Sequence, residues 1–155
     1  VAYACLSPRT SRALLATFCR ELGYEPLAFH ATDARGVEIY HTNVMMSVGT
    51  RVAVVCLEAI RDARERRAVE QRLAASGREL VALELAQLDE FAGNLLELRS
   101  RAGRPLFVLS ARARRALRAP QRAVRERHGE LVSVELETIE THGGGSARCM
   151  IAEIF

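Results

Sequence analysis

His41-Thr42-Asn43-Val44-Met45-Met46-Ser47-Val48, then Gly49-Thr50, then Arg51-Val52-Ala53-Val54-Val55-Cys56-Leu57: this stretch decides the fold. Two apolar runs rich in β-branched residues, split by a glycine-containing turn, predict a hairpin of strands over 44–48 and 51–57. A charged amphipathic helix is expected next over 60–75, closed by Ser76-Gly77, and then a strand over 79–83. The order is strand–strand–helix–strand, and it returns downstream. Ala92-Gly93-Asn94-Leu95-Leu96-Glu97 opens the second unit with a strand over 95–98. The turn-rich 100–104 leads into a strand over 106–109, and Ser110 caps a helix that breaks at Pro120 and resumes to His128. A strand over 131–136 closes the unit. Asn43 and Asn94 stand 51 residues apart. Units of that length repeated along a chain indicate a closed array.

Outward from these units the pattern is partial. Residues 1–5 read as a strand, and Ser7-Pro8 is placed to cap a helix with Leu14, Leu15, Phe18, Cys19 and Leu22 on one face. Gly23 ends that helix, 25–31 is extended, Asp33-Ala34-Arg35-Gly36 is a turn and 37–40 a strand. A short helical piece is expected over 85–91. After the glycine run 143–145, residues 146–155 match only the opening of a unit, with a final strand over 150–155. Two whole units and two partial ones predict a single incomplete domain over 1–155, about half of a closed array. Its free strand edges would need cover from another segment, from each other or from a second copy.

The polar loop that enters each first strand falls at the same place: His41-Thr42-Asn43, Gly93-Asn94 and Gly145-Ser146-Ala147-Arg148-Cys149. Arranged around an axis, these loops converge. A histidine and a cysteine at equivalent positions make a candidate acid/base and nucleophile.

Composition narrows the classes. At 49% hydrophobic and 26% charged residues the chain is outside the disordered, collagen-like and low-complexity ranges. No apolar run reaches membrane-spanning length, so no membrane partner is expected. All 22 basic residues are arginine, which removes Schiff-base lysine and P-loop lysine chemistry from this chain. The net charge of +3 is dispersed among glutamates, as in Arg61-Asp62-Ala63-Arg64-Glu65-Arg66-Arg67. The densest basic stretch, 112–127, has no aromatic residues for base stacking, so nucleic acid is not an expected partner. The four cysteines form no CxxC pair and imply no zinc site. Cys5, Cys19 and Cys56 lie in apolar runs and are expected as small buried hydrophobes in a reduced, cytoplasmic setting.

Tyr40-His41-Thr42-Asn43-Val44-Met45-Met46, Phe91-Ala92-Gly93-Asn94 and Gly143-Gly144-Gly145-Ser146-Ala147-Arg148-Cys149-Met150 resemble the amidinotransferase and arginine deiminase-related hydrolases. That superfamily includes dimethylarginine dimethylaminohydrolase and bacterial citrulline-forming or citrulline-using hydrolases. The resemblance spans essentially the whole chain. It implies an α/β fold, the pentein propeller of strand–strand–helix–strand units. It also implies a covalent mechanism in which Cys149 attacks the central carbon of a guanidino or ureido group and His41 moves the protons. Asn43, Asn94 and Arg148 are the implied substrate contacts, and no metal or organic cofactor is implied. Asn43 stands where arginine deiminases resemble one another in having a carboxylate, which leaves a ureido or substituted substrate open.

The carboxylates that grip a guanidinium in this superfamily come from N-terminal units that do not match this chain. Asp33, Glu38, Glu140 and Glu153 are expected instead as turn or solvent-facing charges. His30 and His128 are expected outside the catalytic set, and His142 is a weaker candidate for lining the site. An amidinotransferase using the same covalent intermediate, or a non-catalytic binding module retaining half of the propeller, are the alternatives to hydrolysis.

Overall fold

The computed structural model describes residues 1–154. Its strands are β1 (Ala2–Cys5), β2 (Pro26–Phe29), β3 (Met46–Val48), β4 (Val52–Val55), β5 (Glu79–Ala82), β6 (Leu96–Arg99), β7 (Pro105–Ser110) and β8 (Glu130–Val134). Its helices are α1 (Arg12–Leu22), α2 (Ala63–Ala74), α3 (Leu85–Leu88), α4 (Ala111–Ala116), α5 (Ala119–Glu126) and α6 (Glu137–Gly143).

The repeat is real at the level of hydrogen bonding. β3 pairs antiparallel with β4, which pairs parallel with β5; β6, β7 and β8 repeat that pattern. β1 and β2 form a parallel pair bridged by α1, which is the later part of the same unit. The central strands are the most apolar because both their faces are covered. Every residue of β4 is buried, and so are Phe107 and Leu109 of β7. One continuous core runs through the sheets, with Phe29, Met45, Ile60 and Leu73 among its fully buried members.

Neighbouring units are joined through their first strands. The Ser47 hydroxyl donates to the Leu95 carbonyl at 2.8 Å in a buried position. The Thr50 N–H donates to the Glu97 carboxylate at 2.8 Å. These bonds set the relative position of the loops that enter β3 and β6.

Several expected boundaries move, each for a local reason. Ser7 does not cap α1: its hydroxyl donates to the Tyr40 carbonyl at 2.9 Å and accepts from the Arg9 N–H, and Ser7 pairs with Thr10 across a tight turn. Ser11 caps the helix instead, accepting from the Leu14 N–H. Gly23 ends it with a φ of +68°, as the turn chemistry predicts. The apolar face of α1 is not core, because only Cys19 is buried while Leu14 is 69% and Leu22 59% exposed.

Residues 37–40 form no full strand: the Asp33 carboxylate holds a tight turn by accepting from the Arg35 and Val37 N–H groups, and beyond it only an isolated bridge of Glu38 to Thr32 and the Ile39 N–H on the Ala31 carbonyl at 3.0 Å pair the two sides. The break between α4 and α5 falls at Leu117-Arg118, and Pro120 sits in the first turn of α5, where its missing N–H is harmless. Helix α6 was not expected from the sequence. Residues 147–150 form a 3-10 turn, and 151–154 join no strand; Phe155, the last residue of the expected final strand, lies outside the described residues.

Candidate active site

The loop entering β3 is anchored at both ends. The Cys5 N–H at the end of β1 donates to the Thr42 hydroxyl at 2.9 Å, and Ser7 holds the Tyr40 carbonyl. Residues 42–44 then close a 3-10 turn, with the Val44 N–H on the His41 carbonyl at 3.1 Å. The loop before β6 lies directly against it. A Cβ at Gly93 would overlap the Val44 carbonyl and the Met45 backbone, so only glycine permits the approach. Phe91 opens that loop at φ +58°, a strained conformation for an aromatic residue. Its ring is covered by the Arg112 guanidinium at 5.4 Å, and Arg112 is paired with Glu90.

The third loop follows α6. Gly144 takes the left-handed conformation that ends the helix, and residues 147–150 form a 3-10 turn closed by the Cys149 N–H on the Ser146 carbonyl at 3.0 Å. The 3-10 turns at 42–44 and 147–150 occupy matching places in their units.

The three loops meet at one sulfur. The Asn94 side-chain amide donates to Cys149 Sγ at 3.1 Å, and the Asn43 amide lies 3.7 Å from the same atom. Asn94 is buried and fully used: its Nδ2 also reaches the Asn43 carbonyl at 3.5 Å, and its Oδ1 accepts the Arg148 N–H at 3.1 Å. Cys149 is exposed, whereas Cys5, Cys19 and Cys56 are buried. Burial pushes the Cys5 thiol up to about 11 and raises Cys56, which keeps both as unreactive thiols.

His41 is exposed beside this cluster. Its ring meets the Tyr40 ring edge-on at 4.7 Å, and the Tyr40 hydroxyl donates to the Gly144 carbonyl at 3.2 Å, tying the His41 loop to the glycine run. No hydrogen bond joins His41 to Cys149 among the described residues. Arg148 is half-buried, with Nη1 3.5 Å from the Met46 carbonyl, and lines a groove of about 360 Å³ with Ser47, Arg78 and Glu97. Burial lowers the pKa of its guanidinium, while the neighbouring Cys149 acts in the opposite sense.

The other histidines serve elsewhere: His30 lies on Glu65 at 3.1 Å and His128 on Glu79 at 2.9 Å, and His142 is exposed on α6. Among the described residues, no group of three or more His, Cys, Asp or Glu side chains is placed to hold a metal ion. Among the described residues no helix is long and apolar enough to cross a membrane. Of the four local carboxylates, Asp33 is a turn residue and Glu38 and Glu153 are exposed, as expected. Glu140 departs from expectation. It is 4% exposed and accepts the Ser146 hydroxyl at 2.6 Å. Only its position three residues before the glycine run marks it in the sequence, and that does not distinguish a buried carboxylate from an exposed one.

Residues 1–155 match the protein-family model described as N,N dimethylarginine dimethylhydrolase, eukaryotic. No curated protein sequence matches the chain. Its fold matches ArgZ, an arginine dihydrolase from the ornithine-ammonia cycle in cyanobacteria, with a TM-score of 0.71, 16% identity, and 95% of this chain against 21% of that one. The N-terminal domain of ArgZ, covalently bound to a reaction intermediate, matches with a TM-score of 0.71 at 17% identity, covering 95% of this chain and 48% of that domain. Unliganded AgrE matches with a TM-score of 0.71 at 20% identity, over 95% of this chain and 20% of that one. The shared feature is the pentein fold. The chain spans about half of the ArgZ N-terminal domain and about one-fifth of the full-length relatives.

Proposed function

The chain belongs to the N,N dimethylarginine dimethylhydrolase family, and from that premise we propose that it carries the nucleophile of a cysteine-dependent hydrolase acting on a guanidino or ureido group. The observation that carries this reading is the convergence of three loops on Cys149 Sγ, with two amide side chains directed at an exposed sulfur that the other cysteines do not resemble.

On a guanidino substrate, the Cys149 thiolate forms a bond to the central carbon and gives a tetrahedral adduct. The C–N bond to the departing amine then breaks as His41 protonates that nitrogen, leaving a thiouronium on the sulfur. Neutral His41 next takes a proton from water, the water oxygen attacks the same carbon, and the S–C bond breaks. A ureido product leaves and the thiolate returns. His41 is exposed on a loop tied to the Cys149 loop through Tyr40, which suits a group that must reach both the amine and the water. Asn43, the more exposed of the two amides, lies where it meets substrate beside the sulfur; Asn94 acts on substrate through Cys149 and the Arg148 backbone. Arg148 reaches substrate from the adjoining groove.

Transfer to an amine instead of water uses the same intermediate and gives an amidino-amine in place of a ureido product. The full-length protein is incubated with arginine, dimethylarginine and citrulline, and release of ammonia, methylamines and ornithine is followed. Turnover of one of the three is expected, with Cys149→Ser abolishing it and Cys19→Ser sparing it. Inactivity on all three, or turnover that survives Cys149→Ser, overturns the reading.

A further inference from the structure

Helix α6 is inverted relative to an ordinary amphipathic helix. It exposes Ile139 at 44% and buries the carboxylate of Glu140 at 4%. A buried carboxylate is unfavourable unless its bonds compensate, so a fold that makes this choice must gain something from the contact. The contact is with the loop that carries Cys149. We propose that Glu140, acting through the Ser146 hydroxyl, is the positioning residue that holds the Cys149 turn against the Asn94 and Asn43 amides; this rests on the nucleophile role proposed above for Cys149.

Between Glu140 and Ser146 lies Gly143-Gly144-Gly145, the most conformationally free stretch of the chain. The Glu140 Oε1 atom closes over that stretch by accepting the Ser146 hydroxyl at 2.6 Å, six residues along the chain. Ser146 is fully buried, and its hydroxyl makes no capping bond to its own turn; it is committed to Glu140. The Ser146 carbonyl accepts the Cys149 N–H at 3.0 Å. The nucleophile's turn is therefore gripped from behind by Glu140 and from the front by Asn94, which accepts the Arg148 N–H.

Glu140 Oε2 has no hydrogen-bond partner among the described residues. The neighbouring cation is Arg112. The hydrogen bond it donates to the Glu90 carboxylate is the main reason the pKa of its guanidinium is raised, and Glu140 adds to that field. Arg112 also covers Phe91, at the start of the Asn94 loop. The same cation thus covers the start of the Asn94 loop and feels the Glu140 carboxylate behind the Cys149 loop. Geometry of this kind matters because a misplacement of about 1 Å at a reacting atom costs on the order of 100-fold in rate.

The test uses Glu140→Ala, Glu140→Gln, Ser146→Ala and the double variant Glu140→Ala/Ser146→Ala in the full-length protein. Glutamine keeps an oxygen acceptor for Ser146, alanine does not. Glu140→Ala and Ser146→Ala are expected to lower kcat by at least about tenfold with KM within about threefold, and the double variant to be no worse than either single one. Glu140→Gln is expected to stay within about threefold of the parent. Alkylation of Cys149 by iodoacetamide, followed on its own peptide by mass spectrometry, needs no substrate. It is expected to slow at least about threefold in both alanine variants, as the sulfur loses its amide donors, and to be unchanged in Glu140→Gln. Additive losses, equal damage from Gln and Ala, or unaltered alkylation in the alanine variants overturns the positioning role while leaving Cys149 as nucleophile. Turnover surviving in Cys149→Ser overturns the reading beneath it.

Discussion

The two complete units, residues 46–82 and 96–134, share strand order and pairing direction but put the same places to different uses. The loop before the first holds His41 and Asn43 toward solvent. The loop before the second buries Asn94 and spends its amide on three partners. The crossover of the first unit is one helix, α2, packed through Val69 and Leu73. The second divides its crossover into α4 and α5 and buries Arg125 entirely, with only Nη1 bonded, to the Gln121 carbonyl at 2.8 Å. A repeat thus sets where a loop arrives; the side chains on it decide whether it faces solvent or braces the Cys149 sulfur.

The largest expected effect separates the two asparagines. Asn94→Ala should lower kcat by about 100-fold and cost about 1–3 kcal/mol of stability, because it leaves the part-buried Arg148 N–H unpaired and empties a buried position. Asn43→Ala should lower kcat as well but leave the free energy of unfolding in urea within ~0.5 kcal/mol of the parent. Equal stability losses in the two variants would break the contrast between a solvent-facing loop and a bracing one.

Next in size are the crossovers. Leu73→Ala in α2 removes a side chain 1% exposed and should cost about 2–4 kcal/mol. Arg125→Met in α5 should be neutral or stabilising by about 1 kcal/mol. Burial pushes that guanidinium down to about 10 and leaves Nε and Nη2 unpartnered, so a methionine of similar shape relieves an uncompensated charge. Denaturant unfolding measures both; a loss above 2 kcal/mol from Arg125→Met would show that the charge has a stabilising partner.

The smallest effect lies where the two units touch. Glu79 of β5 meets His128 and Arg127 at the end of α5, and its pKa is lowered, first by the His128 hydrogen bond and then by Arg127. A carboxylate with a depressed folded pKa stabilises fully above its ordinary value of 4.5, and that contribution fades as pH falls below it. Glu79→Gln should therefore lower Tm slightly at pH 7, with the difference from the parent vanishing toward pH 3. A difference independent of pH would assign the effect to packing.

Turn residues and apolar alternation made most of the architecture legible. The hairpin across Gly49-Thr50, the ends at Gly23 and Ser76-Gly77, and the Ser110 cap are set by interactions within a few residues. Ser7 and Ser11 show the limit of that logic. Both are good caps, and only the pull of the Tyr40 carbonyl on Ser7, 33 residues away, decides between them. Helix α6 was missed because its register buries a glutamate and exposes an isoleucine, the reverse of the pattern that marks a helix face.

What the sequence determined by itself is the order of strands and helices, the 51-residue interval, and hence the matching loops that carry His41, Asn94 and Cys149. Those follow from local backbone preference and hydrophobic period, which each segment encodes in its own residues. What only the tertiary structure decided is how the loops are used: Asn94 turned inward onto the sulfur, α1 left with its apolar face exposed, Glu140 buried against Ser146. Each of these depends on contacts between segments, and the free energy of burying an amide or a carboxylate is settled by the partner it meets there, which no local pattern specifies.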